Sequence, residues 1–153
     1  MLTLFECRIR YNKPDEETGK EKRVTEAYLF DALTYTEAEA RVAEKMPEYI
    51  SGEFALASIR KAQYSEIIPS EGDRWFKCRV TFITIDERSG KEKRTAQNVL
   101  VMADDIKGAV DAVVQGMNGT TADFVVTGVT ESNIMEYFPL FDKEEPAIKN
   151  PAE

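Results

Sequence analysis

Apolar and polar residues alternate from the start of the chain. Phe5, Cys7, Ile9 and Tyr11 are separated by Glu6, Arg8 and Arg10, the period-two signature of a strand with one buried face. The stretch 12–23 is polar and carries Pro14 and Gly19, which predicts a hairpin connection longer than the common two-residue turn. Val24 to Phe30 holds β-branched and aromatic residues and predicts the return strand. The period then changes. Ala38, Val42 and Met46 recur at every fourth position, one face of a helix. Thr36 and Glu39 have the spacing of a capping box, and Pro47 and Gly52 close the helix. Phe54 to about Arg60 predicts a third strand, and Tyr64 to Ile68 a further apolar stretch ended by Pro69.

The pattern then repeats. Phe5-Glu-Cys-Arg-Ile9 returns as Phe76-Lys-Cys-Arg-Val80, an offset of 71 residues. The same offset carries Gly19-Lys-Glu-Lys-Arg23 onto the identical Gly90-Lys-Glu-Lys-Arg94, and Leu29, Ala32, Ala38, Val42 and Met46 onto Leu100, Ala103, Ala109, Val113 and Met117. After the helix the offset falls to 70, matching Phe54 with Phe124, Glu66 with Glu136 and Pro69 with Pro139. Matches at one near-constant offset point to an ancestral duplication. The second half is therefore expected to place strands at 75–83, 94–102 and 124–129, a helix capped by Asp104 or Asp105 and running to Met117, and an apolar extension at 134–138. The expected fold class is α+β: a tandem strand-strand-helix-strand unit, antiparallel sheets, one helix per repeat and pseudo-two-fold symmetry. A unit of about 70 residues with one short helix has a thin core alone. One compact domain is expected over 1–141, made of repeats 1–70 and 71–141, with a charged flexible tail at 142–153.

Composition narrows the chemistry. The chain has 153 residues, 31% of them charged, and a formal net charge of -8. These values suit a folded globular protein and no disordered, collagen-like or membrane-spanning class. There is no histidine. This excludes a Ser-His-Asp or Cys-His nucleophile and any zinc site that uses an imidazole. Two cysteines, Cys7 and Cys78, are too few for an all-thiolate zinc site. The first residues lack a basic stretch followed by a long apolar one, so no signal peptide is expected. A cytoplasmic protein with reduced thiols, no cofactor and no membrane partner is the expectation. A Cys7–Cys78 disulfide would need the fold to bring the two strands together.

The twin Gly-Lys-Glu-Lys-Arg segments are the sharpest chemical feature. Lys20, Lys22, Arg23, Lys91, Lys93 and Arg94 would sit near two hairpin tips, where lysine and arginine can neutralise phosphates whatever the base sequence. Charged tips also serve solubility, and Glu16, Glu17, Asp86 and Glu87 lie close by. Arg8, Arg10, Lys77 and Arg79 share the sheet face opposite the cysteines, a basic face whose ordinary reading is solvated residues paired across strands with acids such as Glu26. Glu66 and Glu136 match across the repeats, but no third ligand accompanies them, so a structural role is favoured over a cation site. Trp75 is expected to anchor a core.

Three segments carry a resemblance to a known family: Val24 to Arg41, Tyr49 to Phe54, and Phe82 to Arg94. They resemble an uncharacterised family, domain of unknown function 4494, over nearly the whole chain to about Leu140. The resemblance implies members in anaerobic gut bacteria and their phages. It implies no activity, cofactor or catalytic residue.

The leading expectation is a non-enzymatic binding protein with nucleic acid as ligand, held by Lys20, Lys22, Arg23, Lys91, Lys93 and Arg94, with Arg8 and Arg79 secondary. The alternative is a protein–protein or small-ligand module, including a homodimer through an uncovered strand. A carboxylate enzyme using a divalent metal ranks third.

Overall fold

The computed structural model describes residues 2–140; the expected tail at 142–153 lies outside the described residues. The fold is α+β, with eight strands, two α-helices and one 3-10 turn among the described residues. The strands are β1 (Thr3–Pro14), β2 (Glu21–Ala32), β3 (Phe54–Lys61), β4 (Glu66–Ile68), β5 (Arg74–Ile85), β6 (Glu92–Ala103), β7 (Asp123–Glu131) and β8 (Ile134–Phe138). Helix α1 is Tyr35–Lys45, continued by the 3-10 turn Met46–Glu48, and α2 is Ile106–Gly116. The strands form two four-stranded sheets, ordered β3-β1-β2-β8 and β4-β6-β5-β7. The chain divides into two units: one runs to Ala62 and resumes at Ile134, and the other is Gln63–Asn133.

Each sheet is an antiparallel three-stranded core with a parallel strand added. β1 pairs with β2 and β3, and β5 pairs with β6 and β7, all antiparallel. The fourth strand of each sheet comes from the other half of the chain. β8 adds parallel to β2, and β4 adds parallel to β6. The apolar stretches at 64–68 and 134–138 therefore finish the sheets that their own halves did not begin.

Alternation decides what is buried. Phe5, Cys7 and Ile9 on β1, with Tyr28, Phe30 and Ala32 on β2, join Ala38 and Val42 of α1 and Met46 of the 3-10 turn in one core. Phe76, Cys78 and Val80, with Val99, Val101 and Ala103, join Ala109 and Val113 of α2 in the other. Cys7 and Cys78 are free thiols, each in its own core.

The first helix starts earlier than the Thr36–Glu39 spacing suggests. Its cap is Thr34, whose hydroxyl accepts from the Glu37 N–H at 3.1 Å, while Glu37 accepts from the Leu33 N–H at 2.8 Å. Thr34 and Thr36 each precede a glutamate by three residues. The chain uses the pair that satisfies free N–H groups in the first turn. In the second helix the cap is Asp105, accepting from Gly108 at 2.7 Å. Asp104 instead accepts from the Asp73 N–H at 3.1 Å. There the backbone at Gly72 runs so close to Ala103 that a Cβ would lie 2.5 Å from its backbone.

The face opposite each helix is not simply solvated, as the sequence suggested. Ala27, Leu29, Trp75, Thr81 and Leu100 are buried there. Trp75 is 4% exposed, so it anchors packing as expected, but away from the helix-side core.

β8 is held by more than its ladder. Phe138 packs on Phe30 with ring centroids 4.8 Å apart and on Tyr49 at 5.2 Å. Arg41 of α1 donates to the carbonyls of Asp31, Phe138 and Pro139. Tyr137 donates to Asp31 at 2.7 Å. Phe138→Ala should cost about 3–5 kcal/mol of stability. Hydrogen exchange should place the lost protection in residues 2–62 and 134–140, with residues 63–133 much less affected.

Candidate functional site

The two basic hairpins turn in the same way, bond for bond. In the first, Asp15 and Lys20 close the ladder through Asp15 N–H to Lys20 O at 2.8 Å, and Gly19 N–H donates to Asp15 O at 2.8 Å. Asp86, Lys91 and Gly90 repeat both bonds at 2.8 and 2.7 Å. The aspartate side chain accepts from Glu17 N–H in one turn and from Arg88 N–H in the other, each at 2.9 Å. Gly19 and Gly90 have φ of 74° and 70°, a conformation that L side chains rarely adopt. The motif Asp-x-x-Ser/Thr-Gly thus makes a compact turn and lets the strands run on to Pro14 and Ile85. The connection is residues 15–20, shorter than the 12–23 expected although still longer than a two-residue turn. Lys22, Arg23, Lys93 and Arg94 lie inside β2 and β6, not at the tips.

Because they lie in strands, alternation separates them. Lys22 shares the helix-side face of its sheet with Lys13, its cross-strand partner. Lys93 shares the corresponding face of the second sheet with Thr84. Arg23 and Arg94 point the other way, onto the faces that carry Arg8 and Arg10 in the first unit and Arg79 in the second. Each basic pentapeptide therefore serves two faces.

The two arginine faces differ. Arg8 pairs with Glu6 at 3.2 Å, and Arg60 reaches the same carboxylate oxygen at 3.2 Å. Glu26 is not their partner, contrary to the expected cross-strand pairing. It lies on the helix side, where it accepts from Tyr11 at 2.9 Å and Tyr28 at 3.1 Å. The reason is register: Glu26 stands opposite Ile9, a core residue, and shares its face. In the second unit Arg79, Thr81, Arg94, Ala96 and Thr127 line one open groove of about 320 Å3. Arg94 pairs with Glu92 at 3.0 Å. Among the described residues, Lys20, Lys22, Arg23, Arg79, Lys91 and Lys93 form no ion pair. Near the first turn, Lys13 and Lys22 line an open groove that also holds Asp15, Glu16 and Glu17.

The other candidates stay apart. Glu66 begins β4 and Glu136 lies in β8, so they belong to different sheets. No group of three or more cysteine, aspartate or glutamate residues able to hold a metal occurs among the described residues. No helix among them is long and apolar enough to cross a membrane.

The tyrosine–carboxylate contacts were not foreseen from sequence, although the parity of Tyr11 and Tyr28 with the core was visible. Their electrostatics, with the thiols, give the protein an alkaline limit. Burial first, then the Glu26 carboxylate, pushes the Tyr11 phenol up to about 12 from its ordinary 10.0. Burial pushes the Cys7 thiol up to about 12 from 9.0 and raises Cys78 as well. Burial, then an acceptor carboxylate, raises Tyr28 and Tyr137. The unfolded chain thus loses these protons at lower pH than the folded one, so stability is full below about pH 9 and falls as pH rises through 9–12. Urea midpoints should be level from pH 7 to about 8.5 and drop by pH 10.5. Both thiols should resist an aromatic disulfide reagent at pH 8 until the chain unfolds.

No curated protein matches the chain. Residues 3–140, which span both units from the start of β1 to just past β8, match a family described as a domain of unknown function (DUF4494). The chain belongs to that family.

Proposed function

We propose that this is a non-enzymatic binding protein whose ligand is nucleic acid, held through the cations of its two hairpins. One observation supports this reading above others. Lys20, Lys22, Arg23, Lys91 and Lys93 stand on two hairpins of matching turn geometry with no acid paired to any of them among the described residues. Lys13 directly opposite Lys22 adds to it. Like charges across a strand pair are destabilising, and a bound phosphate relieves that repulsion. The net charge of -8 opposes bulk attraction to nucleic acid, so affinity must come from local patches. The matching turns and the shared basic pentapeptides also support common descent of the two halves. The family resemblance supports a phage or mobile-element setting, and with it a cytoplasmic location.

A second reading, a protein partner or a second copy, draws on the sheet edges. β3 and β7 are outer strands, and Val125 of β7 is 46% exposed. A long outer strand is a template for another chain. Sedimentation showing a concentration-dependent dimer that shields β7 from hydrogen exchange would favour it.

The nucleic-acid reading is tested by fluorescence anisotropy with single- and double-stranded oligonucleotides across salt. Binding at about 50 mM salt should weaken steeply as salt rises, by roughly 0.7–0.9 in log K per log salt for each phosphate contacted. Lys22→Glu with Lys93→Glu should weaken binding to all sequences alike and lower that slope. Absence of binding at about 50 mM salt sinks the reading.

A further inference from the structure

Resting on the nucleic-acid reading, we infer that the β5–β6–β7 face of the second unit seats one nucleotide of a single strand. Its phosphate lies between Arg79 and Arg94, and its base lies toward Tyr64 and Asn98. The matching face of the first unit is not such a seat.

The register builds the groove. On this face Arg79 stands opposite Asn98, Thr81 opposite Ala96, and Ile83 opposite Arg94. The two arginines are therefore separated by one rung of small residues and lie about 13 Å apart along the strands. Thr81 and Ala96 leave the space between them open. A bulge in β7 shapes the wall. Arg79 pairs with Gly128 and Val80 with Val126, which leaves Thr127 as the extra residue. Its hydroxyl bonds that of Thr81 at 2.9 Å and the Arg79 carbonyl at 3.3 Å. Bulges of this kind re-aim neighbouring side chains. The Arg79 guanidinium has no acid partner among the described residues.

A second groove adjoins the first across Ala96, lined by Gln63, Tyr64, Ala96 and Asn98 among others. An arginine pair suits a phosphodiester through charge-assisted bonds. A tyrosine and amides beside it suit an unstacked base, by stacking and by edge contacts. Together they fit a single strand better than a free anion or a duplex.

The first unit has the same strand plan but a different face. Arg10 stands where Thr81 does, so an exposed cation replaces the short hydroxyl side chain. Glu6 stands where Lys77 does and pairs with Arg8. Glu17 of its turn corresponds to Arg88. Each of these last two changes makes the second unit more positive than the first.

The test combines anisotropy and amide NMR with a mixed-sequence single-stranded 12-mer, its duplex, and inorganic phosphate, at about 50 mM salt. Arg79→Ala with Arg94→Ala should weaken single-strand binding about tenfold or more and reduce the salt slope by about one. Arg8→Ala should change it less than about twofold. Amides of 79, 81, 94, 96, 98 and 127 should shift with the 12-mer. Arg79, Arg94, Lys22 and Lys93 are exposed and Arg8 is half-buried, and an unchanged melting temperature shows that each variant folds. If the double variant binds normally while Lys22→Glu with Lys93→Glu abolishes binding, the groove is wrong and the hairpin reading stands. Absence of any oligonucleotide binding removes both. Arg8→Ala as damaging as the double variant overturns the asymmetry. Phosphate alone matching the 12-mer, or duplex binding more tightly, overturns the single-strand assignment.

Discussion

Everything in each unit depends on burying one face of a long β-hairpin beneath a single short helix. The contact is small: Ala38, Val42 and Met46 against β1 and β2, and Ala109 and Val113 against β5 and β6. Helices this short have little stability of their own, so α1 and α2 exist because the sheet beneath offers Phe5, Phe30, Phe76 and Val101. The same burial fixes the register of every strand. A slip by one residue would place Arg8 and Arg79 in the cores and Cys7 and Cys78 outside.

That constraint also creates the faces that carry charge. Once Phe5, Cys7 and Ile9 of β1 and Phe76, Cys78 and Val80 of β5 are committed to the helix side, alternation puts Arg8, Arg10 and Arg79 on the other side, which also carries the buried Leu29, Trp75 and Leu100. The two units follow one plan, yet a few residues divide their chemistry. Where Glu6 pairs with Arg8 in the first unit, the second has Lys77 at the matching position, and Thr81 lines an open groove with Arg79 and Arg94. The shared scaffold fixes where cations can stand, and single positions decide whether they are free to meet an anion.

Much of this was legible from the chain. Period two in Phe5–Tyr11 and Phe76–Phe82, and period four in the helices, are local signals that tertiary structure did not override. The cap of α1 was misplaced because Thr34 and Thr36 carry the same motif, and only the N–H groups of the first turn distinguish them. The hairpin lengths were misread because polar residues in an exposed ladder look like loop. The destinations of β4 and β8 were hidden for a deeper reason. Runs such as Glu66–Ile68 and Ile134–Phe138 are apolar enough to be strands, but nothing local names the strand they join. The groove stayed hidden likewise. Alternation gives the faces of Arg79 and Arg94, whereas their approach across Thr81 and Ala96 follows from cross-strand register.

The placement of β8 has a consequence for how the protein is made. Arg41 and Phe138, which meet through a hydrogen bond, are 97 residues apart in sequence. A ribosome delivers β1, β2, α1 and β3 long before the strand that completes their sheet. Until Ile134–Phe138 emerges, Tyr28 and Phe30 lack their aromatic cover and the outer side of β2 stands open. The sheet begun first is thus the last to be finished, and the outer edge of β2 stays open to capture by other proteins while about 100 further residues are made.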